Sequence, residues 1–537
     1  MNGLHYLKHG EAYNSHAPLL SSILSAFPLL FLDVEEIPAE ELQHMARDVV
    51  TVFPYYKNNN LDTITFWSRI GSILVAIAVA YYVYRWASEL YGIKAGLLAL
   101  FIYTFNPVIL AWSATAYTDF LSAGFMFIAS YYYWNFLVTQ RRGHLVTSGV
   151  IYGLALATKI TALFLLPILI ISYFIYSRPI SWTKVRSGFF CVFIIASLGF
   201  SSLFLIHIGD VKPIYDLNDP FYQNGTSAWF RSEERLNGIL DTFGSRDSGL
   251  RAFVKTVATE VPIPASTFFD AVISHSNTNK EKSTSYLFGE WKHGGWWYYY
   301  LVALIIQVPI PILLFFLMAI IFVRQLKRRE IHHEIYLLIP VFFWLLLFSF
   351  VSRLDLGLRH ILIIFPFSIV FASKVVHFRV KNFERTVKSS FYILCIWLIA
   401  TTVLTFPFYH NYFNEIIGGS QDGYKYLTTD AGPNIRHIGP YMEEHNLTSV
   451  KFRAPAVERP EYRSVWYEEL TCAPATGVII IGTGPLVGGY YSTDEDFSGE
   501  VNENCFGWLQ QLEPVDNIGY SLLVYNVNEA DLENIGY

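Results

Sequence analysis

Long apolar runs alternate with short polar connections between residues 64 and 408 of the chain. A helix of about 20 mainly apolar residues crosses roughly 30 Å of hydrocarbon. The pattern therefore predicts about ten membrane-spanning helices, several of them short, at residues 64–84, 95–112, 120–138, 146–158, 161–177, 187–207, 298–323, 334–351, 361–376 and 389–408.

The fourth and fifth of these runs form either one long tilted helix or two helices that are broken at Thr158 and Lys159. Basic residues favour the break, because short loops rich in Lys and Arg stay on the cytoplasmic side. With a break, the basic residues fall in alternate loops, which all lie on the same side of the membrane. Without the break, they fall on both sides of the membrane. These residues are Arg85, Lys94, Arg141, Arg142, Arg178, Lys184, Arg186, Arg324, Lys327, Arg328, Arg329, Lys374, Arg379, Lys381, Arg385 and Lys388.

The same orientation places the longest polar segments outside the cytoplasm. They are residues 1–63, the loop 208–297 and everything from residue 409 to residue 537. Within the first, APLLSSILSAFPLLFL (17–32) is too short to span and predicts an interfacial or re-entrant amphipathic helix. We therefore expect an all-α polytopic membrane core, preceded by an amphipathic N-terminal segment.

The segment 409–537 differs from the core in composition. Strand-like TGVIIIG and GYSLLVYNV bracket the helix-like stretch NCFGWLQQLE, a pattern that predicts a small α/β or α+β domain outside the cytoplasm. Cys472 and Cys505 both lie in this segment, and the sequence leaves open whether they form a disulfide. Cys191 and Cys395 lie within apolar spans, where a thiol is ordinarily a small core residue.

The composition narrows the class of protein. The chain is 53% hydrophobic and only 15% charged, against about 25% charged residues in an average soluble domain. Its net charge of −6, without long basic blocks, excludes nucleic acid as a partner. No glycine pattern of a nucleotide-binding loop is present, and no signal peptide is evident at the start. Chemistry on the outer face would therefore use a donor other than ATP.

Four ionisable residues are predicted at the same membrane depth on the outer side. Asp119 begins a helix, Lys159 lies at the outer tip between two helices, and Arg359 with His360 begins another. Simpler interpretations remain open, because an acid in the first turn interacts favourably with the helix dipole and basic side chains can extend to lipid headgroups. Ionisable residues beside spans nevertheless often mark functional sites.

A carboxylate that faces cations at a lipid boundary suits one kind of chemistry. Arg359 can hold two phosphate oxygens through its planar guanidinium, and Lys159 supplies a compact positive charge. Asp119 would accept the proton of an acceptor hydroxyl while the sugar carbon develops positive charge. If the donor is a sugar attached to a lipid phosphate, Asp119 would be catalytic, and Arg359, Lys159 and His360 would bind the donor phosphate.

Five segments in order resemble the GT-C membrane glycosyltransferases, and most closely bacterial dolichyl-phosphate-mannose-protein mannosyltransferase-like proteins of the glycosyltransferase 39 type. They are GLALATKITALFLLP (153–167), STSYLFGEWKHGGWWYYYLVALIIQVPIPILL (283–314), LDLGLRHILIIFPF (354–367), YHNYFNEIIGGSQDGYKYL (409–427) and WLQQLEPVDNIGYSLLVYNV (508–527). The resemblance implies sugar transfer with inversion from a polyprenyl phosphate to a protein or lipid acceptor on the outer face. It also implies that Asp119, Arg359 and Lys159 match the family's acidic residue, site-facing basic residue and outward lysine.

The chain departs from this family at its start. The family has a first membrane helix and then an Asp-Glu pair, whereas residues 2–20 resemble the part that follows that pair. We therefore expect either that Met1 is a late or truncated start or that the chain is a catalytically impaired relative that binds lipid-linked sugar. A transporter or flippase is a further alternative, which the lack of two matching halves disfavours. Smaller departures are Gln307, where lysine is common, and TTDAGPNIRHI (428–438).

The remaining predictions concern the edge of the site and its surroundings. His16, Glu290, Trp296 and Trp297 are candidates for contact with substrate or lipid, although an interfacial aromatic belt alone explains the tryptophans. A divalent metal that bridges Asp119 and a phosphate is conceivable, but oxygen ligands have no diagnostic spacing here. The predicted location is the bacterial cytoplasmic membrane, with the C-terminal domain outside the cytoplasm.

Overall fold

The structure is a computed structural model that describes most of the chain. The described residues are 1–12, 18–38, 41, 53–177, 179, 181–214, 236–237, 240–241, 248–272, 284–323, 331–352, 355–379, 384–428, 432–454, 460–463, 465–488 and 505–537.

Helices make up most of these residues. The α-helices are Asn2–His9, Leu19–Ala26, Leu61–Ser68, Ile70–Tyr91, Ile93–Thr104, Pro107–Ser113, Thr118–Thr139, Arg142–Leu156, Leu165–Tyr176, Trp182–Ile206, Gly249–Glu260, Tyr299–Gln307, Ile310–Ile321, Ile331–Leu346, Ile364–Ala372, Glu384–Thr405, Ile438–Glu444, Thr483–Leu486 and Glu529–Asn534. The strands are β1 Val211–Lys212, β2 Ile263–Pro264, β3 Thr284–Leu287, β4 Glu290–His293, β5 Val450–Arg453, β6 Tyr467–Glu469, β7 Gly477–Gly482, β8 Asp516–Ile518 and β9 Leu522–Val527.

Each of the ten predicted spans coincides with a helical segment, but the number of spans is not confirmed. Among the described residues, four helices are long and apolar enough to cross a membrane: Leu61–Tyr91, Trp182–Ile206, Ile331–Val351 and Glu384–Thr405. The number rises to six if two bent pairs each count as one span, Ile93–Thr104 with Pro107–Ser113 (65°) and Tyr299–Gln307 with Ile310–Ile321 (115°).

Proline explains one of these bends. Pro107 occupies the first turn of its helix, and the Asn106 side chain accepts a hydrogen bond from the N–H of Val108 at 3.0 Å. Proline is tolerated at a helix start but cannot continue a preceding helix, and Asn is a favourable N-cap. The apolar run therefore continues through Pro107 while the helix direction changes.

The predicted break at Thr158 and Lys159 is present in the structure. One helix ends at Leu156, and a 3₁₀ turn at Ile160–Phe164 leads into the helix that ends at Tyr176. The Thr158 hydroxyl donates to the carbonyl of Ala155 at 2.7 Å, which satisfies one of the last carbonyls of the first helix. Lys159 is thereby placed at the turn rather than within a helix.

Aromatic side chains fill the centre of the helical core. The Trp86 ring lies 5.3–5.9 Å from the rings of Phe127, Tyr131, Trp134, Tyr336 and Phe367. The helix Thr118–Thr139, which carries Asp119 in its first turn, is buried over most of its length. Its first turn therefore faces protein rather than lipid.

Glycines bring the helices Arg142–Leu156 and Trp182–Ile206 into close contact. A Cβ atom on Gly153 would lie 2.6 Å from the carbonyl oxygen of Gly199 and 2.5 Å from the Cβ of Ser202. Small residues at such crossings allow two membrane helices to approach closely. The helix Arg142–Leu156 of this pair leads directly into the Lys159 turn.

Replacing Gly153 with Ala is expected to destabilise the protein by about 1–3 kcal/mol, because the new methyl group overpacks a rigid backbone contact. Gly143→Ala in the same helix is the matched control, since nothing lies within 4 Å of its added Cβ. Thermal unfolding in detergent measures both variants. Equal midpoints for the two variants would show that the crossing tolerates the methyl group.

The last part of the chain contains a five-stranded mixed sheet with strand order β6-β5-β7-β9-β8. Strand β5 pairs in parallel with β6 and β7, whereas β9 is antiparallel to β7 and β8.

Cys472 and Cys505 form a disulfide with a Cα–Cα distance of 4.7 Å, which resolves the alternative left open by the sequence. Cys191 and Cys395 are half-buried free thiols.

The stretch NCFGWLQQLE is not an α-helix, contrary to the prediction. Its described part, from Cys505 onward, consists of turns and a 3₁₀ helix at Leu509–Gln511. The disulfide holds Cys505, Gly507 disfavours helix and Pro514 follows soon after, so too few residues remain to nucleate an α-helix. Its apolar side chains Phe506, Trp508 and Leu509 are buried against the sheet all the same.

The C-terminal sheet lies at the end of the helical core that carries Asp119. The Asn411 side chain donates to the carbonyl of Gly519 at 3.1 Å, and the Trp291 indole N–H donates to the carbonyl of Val487 at 2.6 Å. His410, after the last long helix, packs edge-on against Trp112 with ring centroids 4.9 Å apart. This end of the core is called the Asp119 end below.

Candidate functional site

A small cavity lies at the Asp119 end of the helical core. The four ionisable residues that the sequence places at one depth, Asp119, Lys159, Arg359 and His360, all line it. Residues from the helices Thr118–Thr139 and Ile331–Leu346 and from the turns at Lys159 and Arg359 complete the wall: Ser122, Ala123, Met126, Thr161, Trp344, Leu362 and Ile363. Segments far apart in sequence thus meet around one space.

Asp119 and Lys159 form an ion pair inside this cavity. The Lys159 ammonium donates to Oδ1 of Asp119, and the exposed fractions of the two side chains are 13% and 3%. The other carboxylate oxygen, Oδ2, is buried and has no hydrogen-bond partner within the described residues. A buried, unpaired carboxylate oxygen is costly, so Oδ2 is available to accept a hydrogen bond from a ligand.

Arg359 and His360, in the 3₁₀ turn Leu358–Ile361, also line the cavity. The Arg359 guanidinium lies 5.6 Å from the centroid of the Tyr117 ring, and its Nε is buried without a hydrogen-bond partner in the described part of the chain. The His360 ring packs edge-on against Phe348 at 5.5 Å. One face of the cavity is therefore cationic.

The backbone before Arg359 is held by Asp355 and Gly357. Oδ2 of the buried Asp355 accepts a hydrogen bond from the N–H of Trp296 at 2.8 Å, and the N–H of Gly357 donates to the Tyr299 hydroxyl at 3.2 Å. Gly357 has φ of 78°, a conformation that disfavours residues with a Cβ atom. Burial raises the pKa of the Asp355 carboxyl to about 6, against the lowering effect of the Trp296 hydrogen bond.

Two residues of the cavity were missed by the sequence analysis. Ser122 Oγ and the Trp344 indole Nε1 are both buried, and neither has a hydrogen-bond partner among the described residues. Together with Asp119 Oδ2 and Arg359 Nε, they give four buried polar atoms around one cavity that have no hydrogen-bond partner in the part of the chain that the structure describes. Buried polar groups are normally satisfied, so this concentration points to a polar ligand. Only the i+3 spacing of Ser122 from Asp119 could have drawn attention to Ser122 in the sequence.

The remaining candidates lie away from the cavity or outside the described residues. Glu290 is exposed on the hairpin of β3 and β4, and the exposed ring of Trp297 stacks on Phe350 at 5.8 Å. Trp296 does not line the cavity, although its backbone N–H holds Asp355 before the Arg359 turn. His16 lies outside the described residues, so its predicted contact stays a prediction.

The donor set does not suit a divalent cation at Asp119. One of the carboxylate oxygens already binds the Lys159 ammonium, and the other charged group of the wall is the Arg359 guanidinium. Mg²⁺ and Ca²⁺ prefer several oxygen ligands, usually including more than one carboxylate. One acid beside two cations instead offers hydrogen-bond partners for an anion with a polar group attached.

Residues 63–206 match the sequence profile of the family described as "Dolichyl-phosphate-mannose-protein mannosyltransferase". The resemblance to these GT-C mannosyltransferases is confirmed over that segment. It includes both Asp119 and Lys159. None of the curated proteins compared with the chain matches it.

Two solved structures of membrane transferases align with most of the chain. One is the archaeal oligosaccharyltransferase AglB from Archaeoglobus fulgidus, in complex with an inhibitory peptide and a dolichol-phosphate. It is 12% identical in sequence to this chain, with a TM-score of 0.42, and the alignment covers 94% of this chain and 69% of AglB. The other is ArnT from Cupriavidus metallidurans, bound to undecaprenyl phosphate. It is 12% identical in sequence, with a TM-score of 0.27, and the alignment covers 98% of this chain and 92% of ArnT. Both scores are too low to carry a conclusion about this protein.

Proposed function

We propose that this protein transfers a sugar from a polyprenyl phosphate to a protein or lipid acceptor at the outer face of the membrane, with inversion. The observation that carries the proposal is the single cavity that joins Asp119 and Lys159 to Arg359 and His360. An acid and two cations around one cavity provide both groups that the transfer needs: a base for the acceptor and a positive surface for the leaving phosphate.

The reaction exchanges one bond at the sugar carbon. The acceptor oxygen forms a bond to that carbon while the bond from the carbon to the phosphate oxygen breaks, and the electron pair leaves with the phosphate. Asp119 Oδ2, which has no hydrogen-bond partner among the described residues, takes the acceptor proton. Lys159 fixes Oδ1 and so orients Oδ2. Arg359 stabilises the departing phosphate through charge-assisted hydrogen bonds.

The charged lining of the cavity supports recognition of the headgroup rather than of the apolar chain of the lipid. The sugar and phosphate would occupy it while the prenyl chain stays in the bilayer. Trp297 and Phe350, stacked and both more than half exposed at this end of the core, offer an apolar path for that chain.

Ser122 and Trp344 extend the proposed site toward the sugar. The hydroxyl of Ser122 can donate or accept a hydrogen bond, whereas the indole of Trp344 can only donate. Both atoms are buried in the wall of the cavity. Their roles would be to orient sugar hydroxyls, which fits a polyhydroxylated donor better than a simple phosphate.

The purified chain in liposomes, given polyprenyl-phosphate mannose labelled in the sugar, tests this function. We expect label to move to a protein or lipid acceptor, with one free polyprenyl phosphate formed for each transfer. Donor binding without transfer would instead identify a catalytically impaired relative. Label that crosses the membrane without a covalent product would identify a transporter.

A further inference from the structure

A second cluster of ligand-bearing side chains lies in the N-terminal segment, outside the Asp119 cavity. His5 and His9 are on the helix Asn2–His9, where a spacing of four residues places them on the same face. Glu36 faces them from the chain after the turn Phe27–Phe31. The ligand atoms of the three residues all lie within 4.8 Å of one another.

The distances in this cluster fit ligands of a common ion. Nδ1 of His5 and Nε2 of His9 lie 3.3 Å and 3.7 Å from the same oxygen of Glu36, Oε2. Zinc ligands at 2.0–2.2 Å in a tetrahedron are separated by about 3.4 Å along each edge. The contact of His5 is also a long hydrogen bond, whereas the 3.7 Å contact of His9 exceeds the usual length of a hydrogen bond between nitrogen and oxygen, about 2.7–3.2 Å.

The carboxylate is held in place by its surroundings. Lys8 Nζ lies 3.0 Å from the other oxygen of Glu36, Oε1, which leaves Oε2 directed at the histidines. The preceding residue, Glu35, exchanges two backbone hydrogen bonds with the Asn59 side chain, at 2.9 Å and 3.0 Å.

We propose that His5, His9 and Glu36 form a binding site for a divalent transition metal of the zinc type, with a fourth position open to water. Two imidazoles and one carboxylate are a ligand set that zinc uses in proteins. The ion would join the first helix to the segment around Glu36. Lys8, hydrogen-bonded to the oxygen that does not face the histidines, would act in the outer shell.

The position of the site gives the metal a structural effect. The helix Leu19–Ala26 packs on the first helix, and its Leu20 N–H donates to the carbonyl of Ala157 at 2.8 Å, two residues before Lys159. A metal that fixes the N-terminal helix would therefore stabilise the segment that lies against the Lys159 turn. Binding to the folded state alone raises its stability by mass action.

Zinc titration of the full chain in detergent, after removal of metals with a chelator, tests the site. We expect one zinc per chain and a rise in the thermal midpoint on binding. Glu36→Gln and His9→Ala should each weaken binding by at least about 100-fold, since loss of an outer-shell partner alone can cost 10–100-fold. His9 is exposed, so its replacement leaves the fold intact.

Two further variants test whether zinc binding is specific to the site formed by His5, His9 and Glu36. His445→Ala, at an exposed histidine stacked on Tyr441, should bind zinc as the wild type does. Lys8→Gln should weaken zinc binding less than Glu36→Gln does, because it removes an outer-shell partner but no ligand. A wild-type chain that takes up no zinc, or a Glu36→Gln variant that binds it normally, would overturn the proposal and leave an ion-pair cluster. Neither result depends on sugar transfer.

Discussion

Asp119→Asn is expected to lower the rate of sugar transfer by about 10²–10⁴-fold while the chain stays folded, because an amide cannot accept the proton of the acceptor hydroxyl. The substitution keeps the shape of the side chain and an oxygen for the Lys159 ammonium. Oδ2 of Asp119 has no hydrogen-bond partner among the described residues, so its replacement removes no protein contact there. The measurement is the initial rate of transfer from labelled donor, per folded molecule.

Glu334→Gln is the matched control for this substitution. Glu334 is also a buried carboxylate that binds one lysine, Lys374, at 2.7 Å, and its second oxygen likewise has no partner within the described residues. It does not line the Asp119 cavity. Breaking such a pair can cost about 3–5 kcal/mol of stability, but the rate per folded molecule should not change. An Asp119→Asn variant that transfers sugar at the wild-type rate would remove Asp119 from the mechanism.

Arg359→Gln is expected to weaken binding of polyprenyl phosphate by about 10- to 100-fold, because hydrogen bonds to charged groups contribute about 1.5–3 kcal/mol. Arg359→Lys should fall between the wild type and this variant, since lysine keeps the charge but loses the planar fork. The indole of Trp344 lines the same cavity, so its fluorescence provides a binding signal. Titration with undecaprenyl phosphate in detergent gives the dissociation constants.

Arg85→Gln provides the corresponding control. Its guanidinium also lies 5.6 Å from a tyrosine ring, that of Tyr131, and is paired with Glu89 at 2.9 Å. It is largely exposed and distant in the fold from the cavity, so the affinity for undecaprenyl phosphate should stay unchanged. Equal loss of affinity in Arg85→Gln and Arg359→Gln would mean that total charge, rather than the Arg359 turn, attracts the lipid.

Local patterns in the sequence predicted the helical segments well. Each of the ten apolar runs coincides with a helix, and the break at Thr158 and Lys159 follows from the distribution of basic residues. The number of spans was less predictable, because hydropathy does not show where Pro107 and Pro309 redirect the chain. The stretch after Cys505 was wrongly predicted as a helix, since a disulfide partner 33 residues away restricts it.

The sequence drew attention to the charged residues of the candidate site but not to its uncharged polar residues. Asp119, Lys159, Arg359 and His360 stand out because ionisable groups are rare beside apolar helices. Ser122 and Trp344 are ordinary residues in a membrane helix, and only their burial without a hydrogen-bond partner among the described residues marks them. His5, His9 and Glu36 were likewise not recognised, because Glu36 is far from the histidines in sequence.

The sequence by itself determined that the chain is a helical membrane protein and which charged residues lie at the ends of its helices, since hydrophobic periodicity and charge are local properties. Only the tertiary structure decided that Asp119 meets Lys159, 40 residues away, and lines one cavity together with Arg359. Such contacts depend on helix crossings set by close packing, as at Gly153 and Gly199, and on turns held by distant groups, as at Asp355. Neither the helix crossings nor the contacts that hold these turns are encoded in any short stretch of sequence.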